Sequence, residues 1–275
     1  MLQHAFDEEF KNDLEEMKAK KREKLRKQAQ QLGLQKRRMM MERTLQEEQD
    51  ELARNHQIGM MMDLIKENMV GASLRMNVNS ISARSLAKAM WVNDTILCLD
   101  LSSNDLNDHA GTYLARILKR NSTLKKLELD NNQLGPKSCQ AFGESLKVNS
   151  SVVYLSLDSN PLVTDHELQG FKILTESLKS NRTLTSLNLW RSGVKESAGK
   201  LLASALEENE TLLFCDIGHN GIHIGDVKKI TDKLDENLAH YEKQERARRV
   251  NEQLQAERSQ KEEDVLEVMP NVDIV

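Results

Sequence analysis

The sequence has few of the residues that build compact enzyme cores and disulfide-linked domains. Of its 275 residues, 4% are aromatic, 12 are glycine, three are proline and three are cysteine. Cys98, Cys139 and Cys215 are odd in number and far apart, which argues against a disulfide framework or a metal site and predicts a reducing compartment. Charged residues make up 30% of the chain. This balance favours long helices or a solenoid.

Signals for export and membrane insertion are also missing. The first residues lack a basic segment followed by an apolar one. No apolar run approaches the roughly 18 residues that a membrane-spanning helix requires. We therefore expect a cytoplasmic protein that does not bind membranes. Its net charge of −4 indicates no class of partner.

Motifs that carry chemistry are absent too. The sequence contains no glycine-rich phosphate loop, no paired metal-ligand spacing and no nucleophile elbow. We expect no enzymatic activity, no cofactor and no metal site.

A repeat of about 28 residues runs through the middle of the chain. One marker is the pattern leucine-x-leucine-x-x-asparagine, as in Leu127-Glu128-Leu129 leading to Asn132. A second marker is an asparagine six residues before the first strand leucine. It starts six units, at Asn68, Asn93, Asn121, Asn149, Asn181 and Asn209. Six units in register establish a repeat architecture.

Each unit reads as strand, turn, helix, turn. Leu124, Leu127 and Leu129 alternate with polar residues as in a half-buried strand. Asn132 is expected to bond backbone amides where the chain leaves the strand. Asn121 is expected to end a helix in a left-handed turn. A lone unit cannot bury its apolar face, so the units must stack into a parallel sheet with the helices outside.

The pattern resembles the ribonuclease-inhibitor-like class of leucine-rich repeats. The resemblance implies an α/β fold: a short solenoid with parallel strands on a concave face and helices on the convex side. It implies a binding role without naming a partner. We predict a charged helical segment over 1–67, a solenoid of about six units over 68–236, and a charged C-terminal helix and tail over 237–275.

The last five marker asparagines also match the N-glycosylation acceptor pattern. All five occupy the same helix-to-strand corner of their units, and no signal peptide is recognisable. We interpret them as structural residues.

The unit that starts at Asn149 has four extra residues, around 163–166. They are either a tolerated loop at the rim of the solenoid or a contact loop. His166 alone indicates neither a metal nor a general base.

Residues 1–66 carry strong helix formers and no proline, so we predict a long helix, with Gly33 as the place where a break would be expected. Apolar residues follow a partial heptad that is interrupted where Lys21 and Gln28 stand. The partial heptad consists of Leu14, Met17, Leu25 and Leu32. We expect the helix to pack against a partner, not to form a coiled-coil dimer by itself.

Basic residues concentrate in 18–43 of this segment. They form either a solvated helix face or a surface for an acidic partner such as a tubulin lattice. Nucleic acid is disfavoured because no aromatic residues are interleaved. The candidate binding residues are Lys20, Lys21, Arg22, Arg26, Lys27, Lys36, Arg37 and Arg38. Met39-Met40-Met41 offers an adaptable apolar surface, whereas Met60-Met61-Met62 is expected to pack where the helix meets the solenoid.

The stretch 226–268 begins as the last repeat helix and continues without proline. Its beginning is expected to cap the solenoid through four apolar residues. These are Val227, Ile230, Leu234 and Leu238. The extension is not needed for capping and indicates a further attachment.

Residues between the strand leucines point to the concave face in this repeat class. That face is therefore predicted to be acidic with two aromatic residues, and Lys126 is its main basic exception. The candidate partner-binding residues are Asp100, Glu128, Asp130, Tyr154, Asp158, Trp190 and Asp216. They suit a basic partner segment anchored at Trp190, although solvated strand polarity explains the aspartates equally. Trp190 has a second interpretation, the repair of a turn in which Ser192 replaces the usual asparagine.

Three functions fit this layout. The arrangement helix, solenoid, helix is similar to leucine-rich-repeat subunits of ciliary and flagellar axonemes, in radial spokes and the dynein regulatory complex. This resemblance implies a structural scaffold in the cytoskeleton, with tubulin or axonemal proteins as partners. The alternatives are a tropomodulin-like actin-binding module and a regulator of a small GTPase. RNA binding through 18–43 is a weaker fourth interpretation.

Overall fold

A computed structural model describes residues 2–164 and 167–268, with side chains described for 22, 23, 26–164 and 167–256. The chain divides into two compact units, Met1–His56 and Gln57–Val275. The helices are α1 Leu2–Arg54, α2 His56–Lys66, α3 Ala83–Met90, α4 Asp108–Leu118, α5 Pro136–Leu146, α6 Gln169–Ser180, α7 Glu196–Glu207 and α8 Ile224–Val268. The strands are β1 Ser73–Arg75, β2 Cys98–Asp100, β3 Lys126–Glu128, β4 Tyr154–Ser156, β5 Ser186–Asn188 and β6 Phe214–Asp216.

The second unit is built around a parallel sheet of six strands in the order of the sequence. Equivalent repeat positions pair directly: Leu99 lies beside Leu127, which lies beside Leu155. These leucines are fully buried, and the strand residues on either side of them are mostly half-exposed. Because side chains alternate across a strand, the leucines face the helices and their neighbours face away. The predicted leucine-rich-repeat solenoid is confirmed.

The helices pack closely because small residues stand at their contacts. A Cβ atom built on Gly143 of α5 would lie 2.6 Å from the backbone nitrogen of Leu174 in α6. The backbones of the two helices therefore touch, and only glycine allows this approach. Phe142 and Phe171 fill the adjoining core.

The marker asparagines hold consecutive units together at the helix-to-strand corner. The amide nitrogen of Asn121 donates to the carbonyls of Met90 (2.8 Å) and Asn93 (2.9 Å) in the preceding unit. Its oxygen accepts from the backbone nitrogens of Thr123 and Leu124. The other four glycosylation-pattern asparagines accept the same two amides and reach back in the same way.

All five of these asparagines are buried, which supports the structural interpretation of the acceptor pattern. Their backbone conformation differs from the prediction. Asn181 has φ −70°, not a left-handed conformation. Five left-handed residues instead stand one position before the strand-closing residue: Ser103, Asn131, Ser159, Arg191 and His219. Of the six marker asparagines, Asn68 alone is left-handed, with φ 57°. At the other five corners, asparagine is needed for its hydrogen bonds, not for its backbone freedom.

A second row of asparagines closes the strands, as predicted for Asn132. Its oxygen accepts from the backbone nitrogens of Asn104 and Leu106 at 3.0 Å each. Its amide nitrogen donates to the carbonyls of Leu101 and Leu129. The bonded backbone nitrogens belong to the preceding unit, so this asparagine also ties one repeat to the next.

The second compact unit begins at Gln57, and α2 holds the helix position that precedes β1; the predicted boundary between 67 and 68 stays a prediction. Ile65 is fully buried, and its carbonyl accepts from Asn93 as Met90 accepts from Asn121. Met62 is buried at this end of the core, whereas Met60 is exposed. One methionine of the second cluster thus packs as expected.

The first unit is a helix that runs from Leu2 through Gly33 to Arg54. The break expected near Gly33 is wrong: a single glycine costs a helix only about 1 kcal/mol, and strong helix formers surround it. The chain leaves the helix at Asn55. Within the described part of the chain, no helix is long and apolar enough to cross a membrane.

Helix α8 is continuous across the predicted boundary at 236/237. Ile230 and Leu234 are buried against the last repeat, as expected of a cap, but Leu238 is 40% exposed. Asn237 is buried instead and donates to the carbonyls of Asn209 and Leu212 at 3.0 Å each. It stands 28 residues after Asn209, so the corner asparagine recurs inside a helix, and sequence reasoning missed it.

Replacement Asn149→Ala is expected to lower the free energy of unfolding by about 2–3 kcal/mol, because it leaves buried amides and a buried carbonyl unsatisfied. Urea unfolding monitored by circular dichroism measures the change. Asn251→Ala, on an exposed stretch of α8, is the matched control and should change stability by less than about 0.5 kcal/mol. Equal losses in the two variants would contradict a structural role for the corner asparagine.

Candidate protein-interaction surface

The concave face, defined as the sheet face away from the helices, is made by three columns of side chains. The first column contains Lys126, Tyr154 and Phe214, and the second contains Arg75, Asp100, Glu128 and Asp216. The third follows the strands and contains Asp130, Asp158 and Trp190. All seven predicted partner-binding residues therefore lie on one face.

Basic residues on this face neutralise part of its acidity. The Nε atom of Arg75 lies 3.3 Å from Asp100 Oδ2, and Lys126 Nζ lies 2.9 Å from Glu128 Oε1 and 4.8 Å from the centre of the Tyr154 ring. Partial burial would raise the pKa of Asp100, but hydrogen bonds from Ser102 and the charge of Arg75 lower it. Arg75 is therefore a second basic residue on this acidic face, in addition to the predicted Lys126. Arg75 was missed because its unit matches the repeat poorly.

Three carboxylates of the face, those of Asp130, Asp158 and Asp216, form no ion pair with any described cation. Asp158 accepts from Ser159 Oγ at 2.7 Å, and Asp216 accepts from the backbone nitrogen of Gly218 at 3.0 Å. Uncompensated carboxylates in neighbouring strands repel each other. These three carboxylates would therefore be stabilised by basic side chains of a bound partner.

Of the three carboxyls, that of Asp130 lies where ionisation is unfavourable. Burial raises the pKa of its carboxyl, and the charges of Asp158 and Glu128 raise it further, although the nearby Ser156 hydroxyl counteracts them. The Oδ1 atom of Asp130 and the Ser156 hydroxyl are both buried, close together, and without a hydrogen bond of good geometry. The ionised carboxyl of Asp130 is therefore only partly compensated by its own surroundings.

Trp190 lies over the next repeat. Its ring stands 4.3 Å from that of His219 at an interplanar angle of 46°, and a Cβ atom on Gly218 would overlap the indole. The turn where Ser192 replaces asparagine does not need the tryptophan, because the Ser192 hydroxyl donates to the carbonyls of Leu157 and Trp190 at 3.0 Å each. These contacts favour a surface role for Trp190 over the repair of the turn.

Phe214 is an exposed aromatic residue that sequence reasoning missed. It is 56% exposed and occupies the β6 position equivalent to Tyr154 in β4. The signal was available, because Phe214 precedes Cys215 as Tyr154 precedes Leu155. Apolar surface thus lies at both edges of the acidic region.

The inserted segment of the fourth unit packs at the rim. Thr164 and Glu167 form an antiparallel bridge, and the carbonyl of Val163 lies so close to Gly193 that a Cβ atom there would be 2.9 Å away. Gly193 has φ +75°, a conformation that suits glycine. Asp165 and His166 lie outside the described residues, so the contact-loop interpretation stays a prediction.

The basic residues of α1 form a separate candidate surface. Six of the predicted residues have described side chains, and all are exposed: Arg22, Arg26, Lys27, Lys36, Arg37 and Arg38. Lys27 pairs with Glu23 at 2.8 Å and Arg38 with Glu42 at 3.0 Å. The side chains of Lys20 and Lys21 lie outside the described residues. Met39, Met40 and Met41 are exposed next to this segment.

Two of the three cysteines lie in the core, and Cys98 is half-exposed. Cys139 and Cys215 are buried, and burial raises the pKa of the Cys215 thiol to about 12. Within the described ranges, no cluster of three or more histidine, cysteine or acidic residues is arranged to hold a metal ion.

The match to a family model agrees with this fold. The family model for the Leucine Rich repeat matches residues 92–115 and 120–143. The solenoid is built of leucine-rich repeats. A search of curated proteins found no match. Among solved structures, the chain is similar to Leiomodin-1 Actin-Binding Site 2, with 22% identity over 71% of this chain and 95% of that chain and a TM-score of 0.44. It is also similar to the tropomodulin C-terminal domain of Caenorhabditis elegans, with 19% identity over 70% of this chain and 98% of that chain and a TM-score of 0.43.

Asp130→Asn is expected to stabilise the solenoid near neutral pH by about 0.5–1 kcal/mol, the size of a like-charge repulsion between strands. The raised pKa means that ionisation costs more in the folded state than in the unfolded one. The gain should therefore be full above the folded pKa and disappear below the ordinary value of 3.8. Urea unfolding at pH 7 and pH 3 tests this, with the exposed Asp232→Asn as control. A gain of equal size at pH 3 would rule out the electrostatic cause.

Gly218→Ala is expected to displace the indole of Trp190 and to cost about 1–3 kcal/mol through overpacking. In a Trp91→Phe background, the fluorescence maximum of Trp190 reports its displacement. Gly221→Ala is the matched control, because a Cβ atom there meets only the Lys195 side chain at ordinary contact distances, 3.6 Å or more. Unchanged Trp190 emission in Gly218→Ala would show that the indole does not rest on this glycine.

Proposed function

We propose that this chain is a non-enzymatic protein–protein interaction scaffold whose concave face binds a basic segment of a partner. The observation that carries the proposal is the group of three carboxylates that form no ion pair with a described cation, Asp130, Asp158 and Asp216, on the same face as Trp190. Aromatic anchors within a complementary polar surface are typical of the centres of protein interfaces. The charge on this face selects a cationic partner and speeds its association.

We further propose that the chain is a structural subunit of a ciliary or flagellar axonemal complex, of the radial-spoke or dynein-regulatory type. The support is the layout of a 53-residue charged helix, a short solenoid and a 45-residue C-terminal helix. Long polar helices gain little from their own apolar contacts and suit attachment to other subunits. The exposed basic residues and methionines of α1 suit an acidic protein surface such as that of tubulin.

The experiment is localisation of a tagged full-length chain in ciliated cells, followed by detergent extraction of the axonemes. We expect the wild-type chain to remain in the extracted axoneme. Trp190→Ala should reduce this retention, because removing an interface anchor costs about 2 kcal/mol, or roughly thirtyfold in affinity. Trp91→Ala is the control, since Trp91 contacts Arg120 on another part of the surface.

Each of the following results would contradict one part of the proposal. A diffuse cytosolic signal would remove the axonemal assignment, and slowed depolymerisation of pyrene-labelled actin or stimulated GTP hydrolysis would favour one of the alternatives. Equal retention of Trp190→Ala and wild type would remove the concave face as the attachment site while leaving the helices as anchors. Crosslinking mass spectrometry of the native complex then tests the helices: crosslinks confined to this chain would end the scaffold proposal.

A further inference from the structure

The free edge of β6, defined as Leu213–Asn220, differs from every other strand edge of the repeat interior. In each inner repeat, the following unit supplies hydrogen bonds to three fixed backbone positions. The carbonyl of Leu97 accepts from Lys125 at 2.8 Å, and the backbone nitrogens of Leu101 and Ser103 donate to the next unit at 2.9 and 2.8 Å. The same set recurs down the sheet to β6. At β6, the three equivalent hydrogen bonds would have to come from a strand placed after β6.

At β6 these positions have no partner from the described chain. The equivalent groups are the carbonyl of Leu213 and the backbone nitrogens of Ile217 and His219, and none of them bonds another described residue as its counterparts do. Cys215 is 8% exposed, whereas the equivalent Leu99 is fully buried. The edge therefore presents one acceptor and two donors at the spacing of a parallel strand.

Helix α8 is the helix of the sixth unit, and no described strand of a seventh unit follows it. Asn237 occupies the corner position, as its bonds to the carbonyls of Asn209 and Leu212 show. In the other units the chain turns into a strand about six residues after this asparagine. Here α8 continues to Val268. The helix side of β6 is thus covered, and its edge is not.

A second copy of this chain cannot add its own β1 to this edge. Helix α2 holds the helix position before β1, since the Ile65 carbonyl accepts from Asn93 as Met90 accepts from Asn121. Helix α8 holds the corresponding position after β6. Continuing the solenoid with a second copy would place two helices in the same space. The edge admits a lone extended segment only.

The side chains around the edge select the chemistry of that segment. Alternate residues of an added strand would point inward, toward Ile217 and Leu234, and would need to be apolar. The intervening residues would lie beside Phe214, which is exposed, and beside Asp216, which has no described cation partner. Charge complementarity therefore calls for a basic residue opposite Asp216.

A groove marks where such a strand would begin. It has a volume of about 360 Å³ and lies between α8 and the residues that precede β5 and β6. Thr185 and Leu213 line one side, and His240, Tyr241 and Gln244 line the other. Leu213, whose carbonyl has no described partner, is one of the residues that line this groove.

We propose that β6 accepts an extended segment of a partner protein as a seventh parallel strand, with alternating apolar residues and a basic residue opposite Asp216. Such strand addition draws affinity from backbone hydrogen bonds and specificity from alternate side chains. The proposal shares Asp216 and Phe214 with the concave face, but it is carried by the backbone groups of the β6 edge and does not rest on the concave-face proposal.

The probe is a synthetic peptide that copies residues 121–132 of this chain with Glu128→Lys. Those residues follow β2 in the solenoid, with Glu128 beside Asp100, so the peptide carries the matching acceptors and its lysine falls opposite Asp216. Fluorescence anisotropy of the labelled peptide with the full chain should show saturable binding. The unaltered peptide, which places a glutamate opposite Asp216, should bind more weakly, and Asp216→Asn should abolish that preference.

Two further measurements locate the site. Ile217→Pro should weaken binding about tenfold, the value of one lost backbone hydrogen bond, while Ile217→Val keeps the donor and should bind like the wild type. Hydrogen exchange should slow at residues 217 and 219 when the peptide binds to the wild-type chain, which answers the question even if Ile217→Pro fails to fold. Absence of saturable binding, or protection confined to residues away from β6, would overturn the proposal.

Discussion

The solenoid depends on one interaction, the hydrogen bonding of the corner asparagines. At each corner, a helix-end carbonyl and two strand-entry amides are removed from water, and each would cost about 1–3 kcal/mol if left unbonded. A single carboxamide satisfies all three, as Asn149 does for Leu118, Ser151 and Val152. Because the carbonyl belongs to the preceding unit, the asparagine sets the spacing of units along the chain. Asn237 extends this control into α8 and thereby fixes how the C-terminal helix caps the sheet.

The irregular fourth unit shows how the repeat tolerates a departure. Where the next unit would offer an asparagine, it offers Ser192, whose hydroxyl donates to the carbonyl of Leu157 in the preceding unit. Ser192 has no side-chain amide oxygen that accepts from the backbone nitrogens of that unit, as Asn132 Oδ1 does from Asn104 and Leu106. The backbone nitrogen of Leu162 bonds the Asn160 carbonyl instead, at 2.8 Å, and Pro161 between them has no N–H to satisfy. The inserted residues follow directly. The insertion and Ser192 thus occur together. The hydrogen bond between Leu162 and Asn160 closes this turn from within its own unit, because the next unit has no asparagine at the position that closes the other turns.

The electrostatics of the concave face follow from the register of the same strands. Equivalent positions stand side by side, so acidic residues that are 28 residues apart in sequence become neighbours. Arg75 and Lys126 neutralise Asp100 and Glu128 in β2 and β3, whereas Asp130, Asp158 and Asp216, at β3, β4 and β6, form no ion pair with a described cation. Trp190 and Phe214 lie toward the same end of the sheet as Asp216 and the free edge of β6. The proposed contacts of the solenoid therefore concentrate toward its C-terminal end, where α8 also leaves it.

Spacing alone determined much of this protein: the positions of leucine and asparagine predict the strands, the repeat boundaries, the buried acceptor-pattern asparagines and the membership of the concave face. Those features are periodic, and periodicity is visible in a sequence. The tertiary structure decided what depends on contacts between distant residues. It showed that α2 and α8 occupy repeat positions, that Arg75 and Lys126 offset part of the acidity, and that Trp190 rests on Gly218. It also showed that left-handed backbone precedes the strand-closing asparagine, because hydrogen bonds between units, which no local pattern records, fix the corner conformation.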